Sequence, residues 1–184
     1  FHKYSVNNDL LAYIIQNHLY PNENMHGALN SVYKSNLFYK KLFAREYRLL
    51  EETPANCFRV SFLDKLFDDC KFIFFKRDGR ANIYSLIEGW QTRHRYIRLK
   101  SPSVKIKIGG YDGSSWKFVL PPGWEEYANK SLPEVAAFQW ITSNSYAIEG
   151  LKEIPEDRKI IISYEEFNDK TFEVTKKLTH FMDI

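Results

Sequence analysis

The sequence predicts an α/β domain in which a parallel sheet is flanked by helices, and three features support this class. An unbroken apolar run at 72–75, bounded by charged residues, is typical of a strand buried on both faces. The run at 160–162 has the same character. Apolar side chains at helical spacing follow each run, and this alternation of strands and helices is the pattern of parallel sheets.

The N-terminal third predicts two helices and a short strand. The helices are expected over about 9–20 and 31–47. Asn8-Asp9 can cap the first helix, and Asn30-Ser31 can cap the second. A short strand is expected at 48–53, where Pro54 ends it. The next helix is predicted from a stripe of apolar residues, which are Phe58, Phe62, Leu63, Leu66 and Phe67.

The stretch 70–90 predicts a strand, a charged turn and a helix. The helix is indicated by Ile83, Leu86, Ile87 and Trp90. Its N-terminus would offer free N–H groups to an anion, and Arg77 in the turn adds a planar fork of donors that suits a phosphate. Ser85, two turns into the helix, could direct its hydroxyl to the same anion. Alternatively, Arg77 and Arg80 only solvate the turn.

A small β-hairpin insertion is predicted after this helix. The alternating apolar residues are Val104, Ile106 and Ile108 on one side of the Asp112-Gly113 turn signal, and Trp116, Phe118 and Leu120 on the other. Residues 89–111 include no acidic side chain, whereas the basic ones are Arg93, Arg95, Arg98, Lys100, Lys105 and Lys107. This basic run could attract an anionic donor or acceptor, or it could form a solvated face of the hairpin.

The C-terminal third predicts a long helix, the second buried strand and a final helix. The long helix begins near Pro133, and its apolar residues are Phe138, Ile141, Ile148 and Leu151. The strand at 160–162 continues into Ser163-Tyr164-Glu165-Glu166-Phe167. One face of the final helix is formed by Val174, Leu178, Phe181 and Met182.

Composition limits the classes of function. A hydrophobic content of 44% and a charged content of 27% indicate a globular domain, and a net charge of +3 is too small to favour nucleic acid as a partner. No apolar stretch approaches the length of a membrane span, and no signal peptide is visible. The compartment stays open, and a cytoplasmic one is favoured over the others. Cys57 and Cys70 lack metal-ligand spacing, and we expect free thiols, with one disulfide as the alternative.

The stretch 77–85 resembles the 3′-phosphate-binding motif of the sulfotransferase family. That motif has a strand that ends in Arg, a short turn with Asp or Asn and Gly or Pro, and a Ser eight residues after the Arg. Arg77 and Ser85 match it. The resemblance implies that they hold the 3′-phosphate of 3′-phosphoadenosine 5′-phosphosulfate, the sulfuryl donor. The segment around Tyr164 is similar to the family's Tyr-Glu-Asp segment, which implies that Tyr164 lies against the nucleotide. Phe138-Gln139-Trp140 is similar to a Trp-bearing helix of the family.

The sequence departs from the family in two ways. Residues 51–54 resemble a Glu-Lys-Thr-Pro segment, but Glu52 replaces the Lys. A carboxylate there would repel the sulfuryl group, although it could act as a base toward an acceptor hydroxyl, and it could equally be a solvated strand end. No Gly-rich phosphate loop is found, and the family layout would place it before Phe1. The resemblance covers roughly 51–184, so residues 1–184 are expected to form a single sulfotransferase-like domain that is incomplete at both ends.

The resemblance implies a P-loop-kinase-like three-layer fold and a sulfotransferase activity. The reaction would move a sulfuryl group from 3′-phosphoadenosine 5′-phosphosulfate to an acceptor hydroxyl or amine, without a metal. Glu52 is then the candidate base, and Arg77, Ser85 and Tyr164 are the candidate nucleotide contacts. Two alternatives remain: a non-catalytic domain that binds a nucleotide or a partner, and a nucleotide kinase of related fold, whose phosphate-loop Lys and Mg²⁺ ligands are not visible.

Overall fold

A computed structural model describes residues 50, 52–67, 69–92, 95–99 and 104–184. The helices predicted over 9–20 and 31–47 lie outside the described residues, as do 48, 49 and 51 of the strand predicted at 48–53. The other residues of that segment, 50, 52 and 53, are coil and not strand. In the described part, the helices and strands are α1 (Val60–Leu66), β1 (Phe72–Lys76), α2 (Gly79–Gln91), β2 (Ile97–Leu99), β3 (Trp116–Lys117), α3 (Leu132–Lys152), β4 (Lys159–Ser163), α4 (Tyr164–Asp169) and α5 (Thr171–Met182). Short 3₁₀ helices occupy Pro54–Phe58, Trp124–Tyr127 and Glu156–Arg158.

The two predicted buried strands pair with each other. β1 and β4 are parallel, in a register that begins with Phe72 opposite Lys159 and ends with Lys76 opposite Ser163. Continuous apolar runs are typical of parallel strands that are covered on both faces. The predicted burial is observed only in part, because Ile162 is fully buried whereas Phe75 is 41% and Ile161 is 52% exposed. The parallel sheet predicted from the sequence is confirmed for this pair of strands.

Helices cover both faces of this small sheet. On one face, Phe72 and Phe74 pack against a cluster formed by Val60 of α1 and by Leu151 and Ile154 at the end of α3. Because successive strand residues point to opposite faces, Phe75 lies on the other side. There it meets the ring of Phe167 in α4 edge to face, with 5.6 Å between ring centroids. The domain is thus α/β, with a small parallel sheet flanked by helices.

The predicted β-hairpin is formed by different residues. β2 pairs with β3 in an antiparallel ladder that contains a register irregularity. Along 104–108 the apolar residues are half-buried or buried and the lysines between them are exposed, as predicted, but this segment does not pair with 116–120. Instead, the N–H of Lys107 donates to the Ala128 carbonyl at 2.7 Å, and the N–H of Gly109 donates to the Lys130 carbonyl at 2.9 Å. An alternating pattern fixes which side of a strand is buried but does not choose its partner.

Within the described ranges, the largest hydrophobic cluster surrounds Trp90 at the end of α2. Its buried members are Trp90, Ile106, Ile108, Trp116, Leu120, Trp124, Ala128, Leu132 and Val135. Trp90 and Trp116 are fully buried and meet edge to face, with 5.4 Å between their ring centroids. This cluster packs α2 against α3 and against the β2–β3 ladder, and so it fixes the direction of α2.

A buried polar network runs through the same cluster. The Gln139 side chain accepts a hydrogen bond from the Trp90 indole N–H at 2.9 Å. Its amide N–H₂ donates to the Lys117 and Val119 carbonyls, both at 2.8 Å. The Gln139 side chain can make these three bonds only in this arrangement, so it links α3, β3 and the end of α2 in one geometry.

Lys117 caps the C-terminus of α2 from inside the protein. Its ammonium donates to the Trp90 carbonyl at 2.6 Å and also to the Thr92 carbonyl. It lies 5.2 Å from the centroid of the Tyr111 ring. A cation at this end of a helix interacts favourably with the partial negative charge of the unpaired carbonyls. Burial lowers the pKa of Lys117, because the charged form is removed from water.

Cys57 and Cys70 are free thiols, as the sequence predicts, and both are half-buried. Burial raises the pKa of the Cys57 thiol to about 11, which keeps it protonated and unreactive. Among the described residues, no helix has the length and apolar character needed to cross a membrane.

Candidate functional site

The carboxyl ends of β1 and β4 meet at one edge of the sheet. Lys76 is paired with Ser163 at the end of the parallel register, so the chain leaves both strands at the same place. Arg77 follows one strand, and Tyr164 follows the other as the first residue of α4. Ligands of open α/β sheets commonly bind outside the carboxyl ends of the strands. We call Arg77, Asp78, Ser163, Tyr164 and Glu165 the strand-end cluster.

Arg77 and Tyr164 are in direct contact within this cluster. The guanidinium carbon of Arg77 lies 4.8 Å from the centroid of the Tyr164 ring, a cation–π arrangement. Arg77 is half-buried, and Tyr164 is 38% exposed. A guanidinium that packs on an aromatic ring through its flat face keeps its in-plane N–H donors available for an anion. The structure therefore brings together two of the side chains predicted from the sequence to contact a nucleotide.

Asp78 caps the N-terminus of α2. Its carboxylate accepts a hydrogen bond from the Ala81 N–H at 3.0 Å, and this bond lowers the pKa of Asp78. Arg80, which is 95% exposed, lies 3.5 Å from the same carboxylate. Arg80 thus points into solvent beside the cap, as in the alternative in which it only solvates the turn.

Glu165 joins the two chain segments that leave the sheet. One of its carboxylate oxygens accepts a hydrogen bond from the Asp78 N–H at 2.9 Å, and the other accepts from the Ser163 hydroxyl at 2.6 Å. The Asp78 N–H and the Ser163 hydroxyl lower the pKa of Glu165, although the nearby Asp78 carboxylate acts in the opposite direction. Glu165 is not among the site residues predicted from the sequence, and the signal that points to it is a serine cap followed by acidic residues.

Ser85 lies on the exposed surface of α2. Its hydroxyl donates to the Ala81 carbonyl at 3.0 Å, within its own helix. An anion at the start of α2 would need this hydroxyl to exchange its bond to Ala81 for one to the ligand. The structure places Ser85 on the helix that begins at the strand-end cluster, but its observed partner is not Arg77.

Glu52 is exposed and lies in the coil that precedes the 3₁₀ helix Pro54–Phe58. Within the described part of the chain, no hydrogen bond or ion pair joins its carboxylate to the strand-end cluster. The role of Glu52 as a base toward an acceptor stays a prediction.

Trp140 of α3 packs against Gly79, the first residue of α2. A Cβ atom built on Gly79 would lie 2.8 Å from two carbons of the Trp140 six-membered ring. Only glycine allows the indole to approach the backbone this closely at the turn that carries Arg77. The predicted Trp-bearing helix is therefore in contact with the start of α2.

The basic run is only partly described. Its exposed, described members are Arg95, Arg98, Lys105 and Lys107. Arg93 and Lys100 lie outside the described residues. In the described part of the chain, no group of three or more His, Cys, Asp or Glu side chains could hold a metal ion.

Comparison with known proteins gives one informative similarity. A protein-tyrosine sulfotransferase from Drosophila melanogaster is 25% identical over 137 residues, which are 74% of this chain and 21% of the Drosophila protein. The chain thus spans about a fifth of the length of that relative. No protein-family model and no solved structure matches the chain. This distant and partial similarity suggests the sulfotransferase family, the family that the motif around Arg77 and Ser85 resembles.

Proposed function

We propose that this protein is a sulfotransferase that uses 3′-phosphoadenosine 5′-phosphosulfate. The observation that carries the proposal is the stacking of Arg77 on Tyr164, with 4.8 Å between the guanidinium carbon and the ring centroid, where two parallel strands end. Both residues stand in segments that resemble nucleotide-binding segments of the family. The similarity to a protein-tyrosine sulfotransferase supports the same class. The proposal includes a P-loop-kinase-like three-layer arrangement of the whole domain.

In the proposed complex, the in-plane donors of Arg77 and the hydroxyl of Ser85 bind the 3′-phosphate. Tyr164 lies against the nucleotide and keeps the Arg77 side chain in place. A guanidinium suits this role because its fixed fork of N–H donors matches two phosphate oxygens at once. The start of α2 adds the partial positive charge of a helix N-terminus on the same side.

The proposed reaction transfers a sulfuryl group to an acceptor hydroxyl or amine. A base removes the acceptor proton while the acceptor oxygen or nitrogen forms a bond to sulfur. The bond between sulfur and the bridging oxygen breaks, and the electron pair leaves with adenosine 3′,5′-bisphosphate. Catalysis then rests on positioning and on cations that stabilise the charge of the leaving phosphate, as in phosphoryl transfer. Glu52 is the candidate base, and the scheme requires no metal ion.

Calorimetric titration tests the nucleotide site. Adenosine 3′,5′-bisphosphate should bind more tightly than ADP, and Arg77→Ala should weaken the binding of the bisphosphate by roughly ten- to a hundredfold, since a hydrogen bond to a charged group is typically worth about 1.5–3 kcal/mol. Arg80→Ala is the matched control, because Arg80 is 95% exposed and its ion pair among the described residues is with the capping carboxylate of Asp78. Equal affinity for both nucleotides, or equal losses in the two variants, would refute the site.

The class of acceptor is proposed from the exposed basic residues of the segment 95–107. The exposed basic residues Arg95, Arg98, Lys105 and Lys107 favour an anionic acceptor through long-range attraction. A comparison of acidic glycans with neutral alcohols as acceptors, at two ionic strengths, tests this. Rates that are equal for both classes and independent of salt would argue against an anionic acceptor.

A non-catalytic nucleotide-binding domain is the second candidate function. It is favoured by Glu52, because a carboxylate in place of the Lys would repel the sulfuryl group instead of neutralising it. If this protein binds adenosine 3′,5′-bisphosphate, an assay for sulfuryl transfer distinguishes a sulfotransferase from a non-catalytic nucleotide-binding domain. Binding without transfer to any acceptor class would support the non-catalytic function, whereas transfer of phosphate from ATP in the presence of Mg²⁺ would favour a nucleotide kinase.

A further inference from the structure

Glu165 connects two parts of the chain that are far apart in sequence. Its carboxylate accepts hydrogen bonds from the N–H of Asp78, 87 residues away, and from the Ser163 hydroxyl at 2.6 Å. Asp78 directly follows Arg77, and Ser163 directly precedes Tyr164. The two hydrogen bonds of one exposed side chain therefore flank both members of the Arg77–Tyr164 stack.

Electrostatics alone would disfavour a carboxylate at this place. Glu165 lies beside the turn that would face an anion, and the Asp78 carboxylate is also nearby. Like charges within a few ångströms repel, so each carboxylate should weaken the binding of a phosphate. A residue that is unfavourable by charge at an anion site needs another reason to be there, and the hydrogen bonds provide one.

We infer that Glu165 is a positioning residue, which holds the Arg77 guanidinium over the Tyr164 ring in the orientation that receives the 3′-phosphate. The backbone of Arg77 is fixed on one side by the pairing of Lys76 with Ser163 and on the other by the bond from Asp78 to Glu165. With both sides held, Arg77 has fewer conformations to lose when a ligand binds, which is the general basis of preorganisation. The choice of ligand rests on the proposed function, whereas the positioning of Arg77 does not.

Two substitutions separate positioning from charge. Glu165→Ala removes both hydrogen bonds and the charge, whereas Glu165→Gln removes the charge but keeps an amide oxygen that can accept from the Asp78 N–H. Glu166→Gln is the matched control, because it removes the same charge from the next residue, whose side chain is exposed. Circular dichroism and thermal unfolding of each variant establish that the fold is retained.

Calorimetry with adenosine 3′,5′-bisphosphate gives the first result. If Glu165 positions Arg77, Glu165→Ala weakens binding about tenfold, the usual scale for a hydrogen bond to a charged group. Glu165→Gln then binds as well as the unmodified protein or about twofold more tightly, because a nearby negative charge is gone. Tighter binding by both Glu165 variants, to the same extent as by Glu166→Gln, would show that charge alone matters and would overturn the inference.

NMR of the protein without nucleotide gives a second, independent result. Stacking on Tyr164 should shift the Arg77 Nε–H resonance through the ring current, and the Asp78 amide should exchange slowly with solvent because it is hydrogen-bonded. Glu165→Ala should abolish the shift and accelerate exchange about tenfold, whereas Glu165→Gln should preserve both. An Arg77 resonance unchanged in Glu165→Ala would refute positioning. Failure of the unmodified protein to bind the bisphosphate would refute the proposed function and leave this second result decisive for Glu165.

Discussion

The indole of Trp140 covers the α-carbon of Gly79 so closely that a methyl group on Gly79 would lie 2.8 Å from two ring carbons. Gly79 is the first residue of α2, and Trp140 lies in the middle of α3. The contact therefore sets the distance between two helices at the turn that carries Arg77. Packed contacts of this kind have little room for an added methylene or methyl group.

Gly79→Ala tests this contact, because two effects of opposite sign compete. Alanine is the better helix former by roughly 1 kcal/mol, whereas overpacking a close contact costs about 1–3 kcal/mol. The separation of 2.8 Å is shorter than real contacts of a Cβ atom, so we expect net destabilisation in urea unfolding. Gly109→Ala is the control, since its nearest atom would be 3.8 Å away. Equal or greater stability of Gly79→Ala would contradict the close packing.

A second substitution assigns the effect to the indole. Trp140→Phe removes the ring carbons that a Cβ on Gly79 would meet. In a double-mutant cycle, Gly79→Ala should therefore cost less in the Trp140→Phe background than in the original protein, by about 1 kcal/mol or more. Additive effects would mean that the strain arises elsewhere in the turn.

Gln139→Leu should destabilise the protein strongly. It leaves the Trp90 indole N–H and the Lys117 and Val119 carbonyls without their partner in the buried interior. A buried unsatisfied group costs about 1–3 kcal/mol, and because such costs are not additive we expect a total of roughly 2–4 kcal/mol in urea unfolding. Gln91→Leu, at an exposed position in the last turn of α2, should change stability by less than about 0.5 kcal/mol. Similar effects of the two substitutions would argue against the network.

Two serines should control the pKa values of two different glutamates. The Ser131 hydroxyl and N–H lower the pKa of Glu134 below its ordinary 4.5, and the Asp78 N–H and the Ser163 hydroxyl do the same for Glu165. We expect Ser131→Ala to raise the pKa of Glu134 and to leave that of Glu165 unchanged. Ser163→Ala should raise the pKa of Glu165 without restoring its ordinary value, because the hydrogen bond from the Asp78 N–H remains. NMR titration of the side-chain carboxyl carbons measures both, and a change in the other glutamate would contradict the assignment.

The sign of the pH effect on stability follows from these shifts. Because both carboxyl groups have a lower pKa in the folded protein than in the unfolded chain, the stabilisation they provide is present above their ordinary pKa of 4.5. It is lost as the pH falls through the folded-state pKa values. Ser131→Ala and Ser163→Ala should each make the acid side of the unfolding curve less steep, and the double substitution should do so additively.

Tyr164 should act through its ring more than through its hydroxyl. Tyr164→Phe keeps an aromatic face under the Arg77 guanidinium, whereas Tyr164→Leu removes it. A cation–π contact at an exposed site is worth about 0.5–1 kcal/mol, so Tyr164→Leu should weaken the binding of adenosine 3′,5′-bisphosphate about two- to fivefold and Tyr164→Phe much less. Equal losses in calorimetry would instead point to a hydrogen bond from the hydroxyl.

The sequence predicts those features that depend on local pattern. The runs at 72–75 and 160–162 are recognisable as β1 and β4 because short unbroken apolar runs are typical of parallel strands, although Phe75 and Ile161 are more exposed than the runs predict. The long helix α3 begins where Ser131 and Glu134 form a capping box, close to the predicted start. Burial of Ile106 and Ile108 also follows from simple alternation.

Local patterns do not predict features that depend on residues far apart in the sequence. The pairing of 107–109 with 128–132 was missed because alternation identifies the buried face but not the partner. Lys117 is a charged residue between Trp116 and Phe118, and the alternation of this strand does not predict where its ammonium lies; it is buried because the carbonyls at the end of α2 accept hydrogen bonds from it. Glu165 was missed for the same reason, since its partner Asp78 is 87 residues away.

The parallel pairing of β1 with β4 also bears on the order in which the chain folds. The bond between Asp78 and Glu165 closes a loop of 87 residues, whereas the bonds of Gln139 to Lys117 and to Trp90 close loops of 22 and 49 residues. Closing longer loops costs more chain entropy, and contacts of high sequence separation slow folding. We therefore expect the core around Trp90 to assemble first and the strand-end cluster last, so that competence to bind an anion would report the final step of folding.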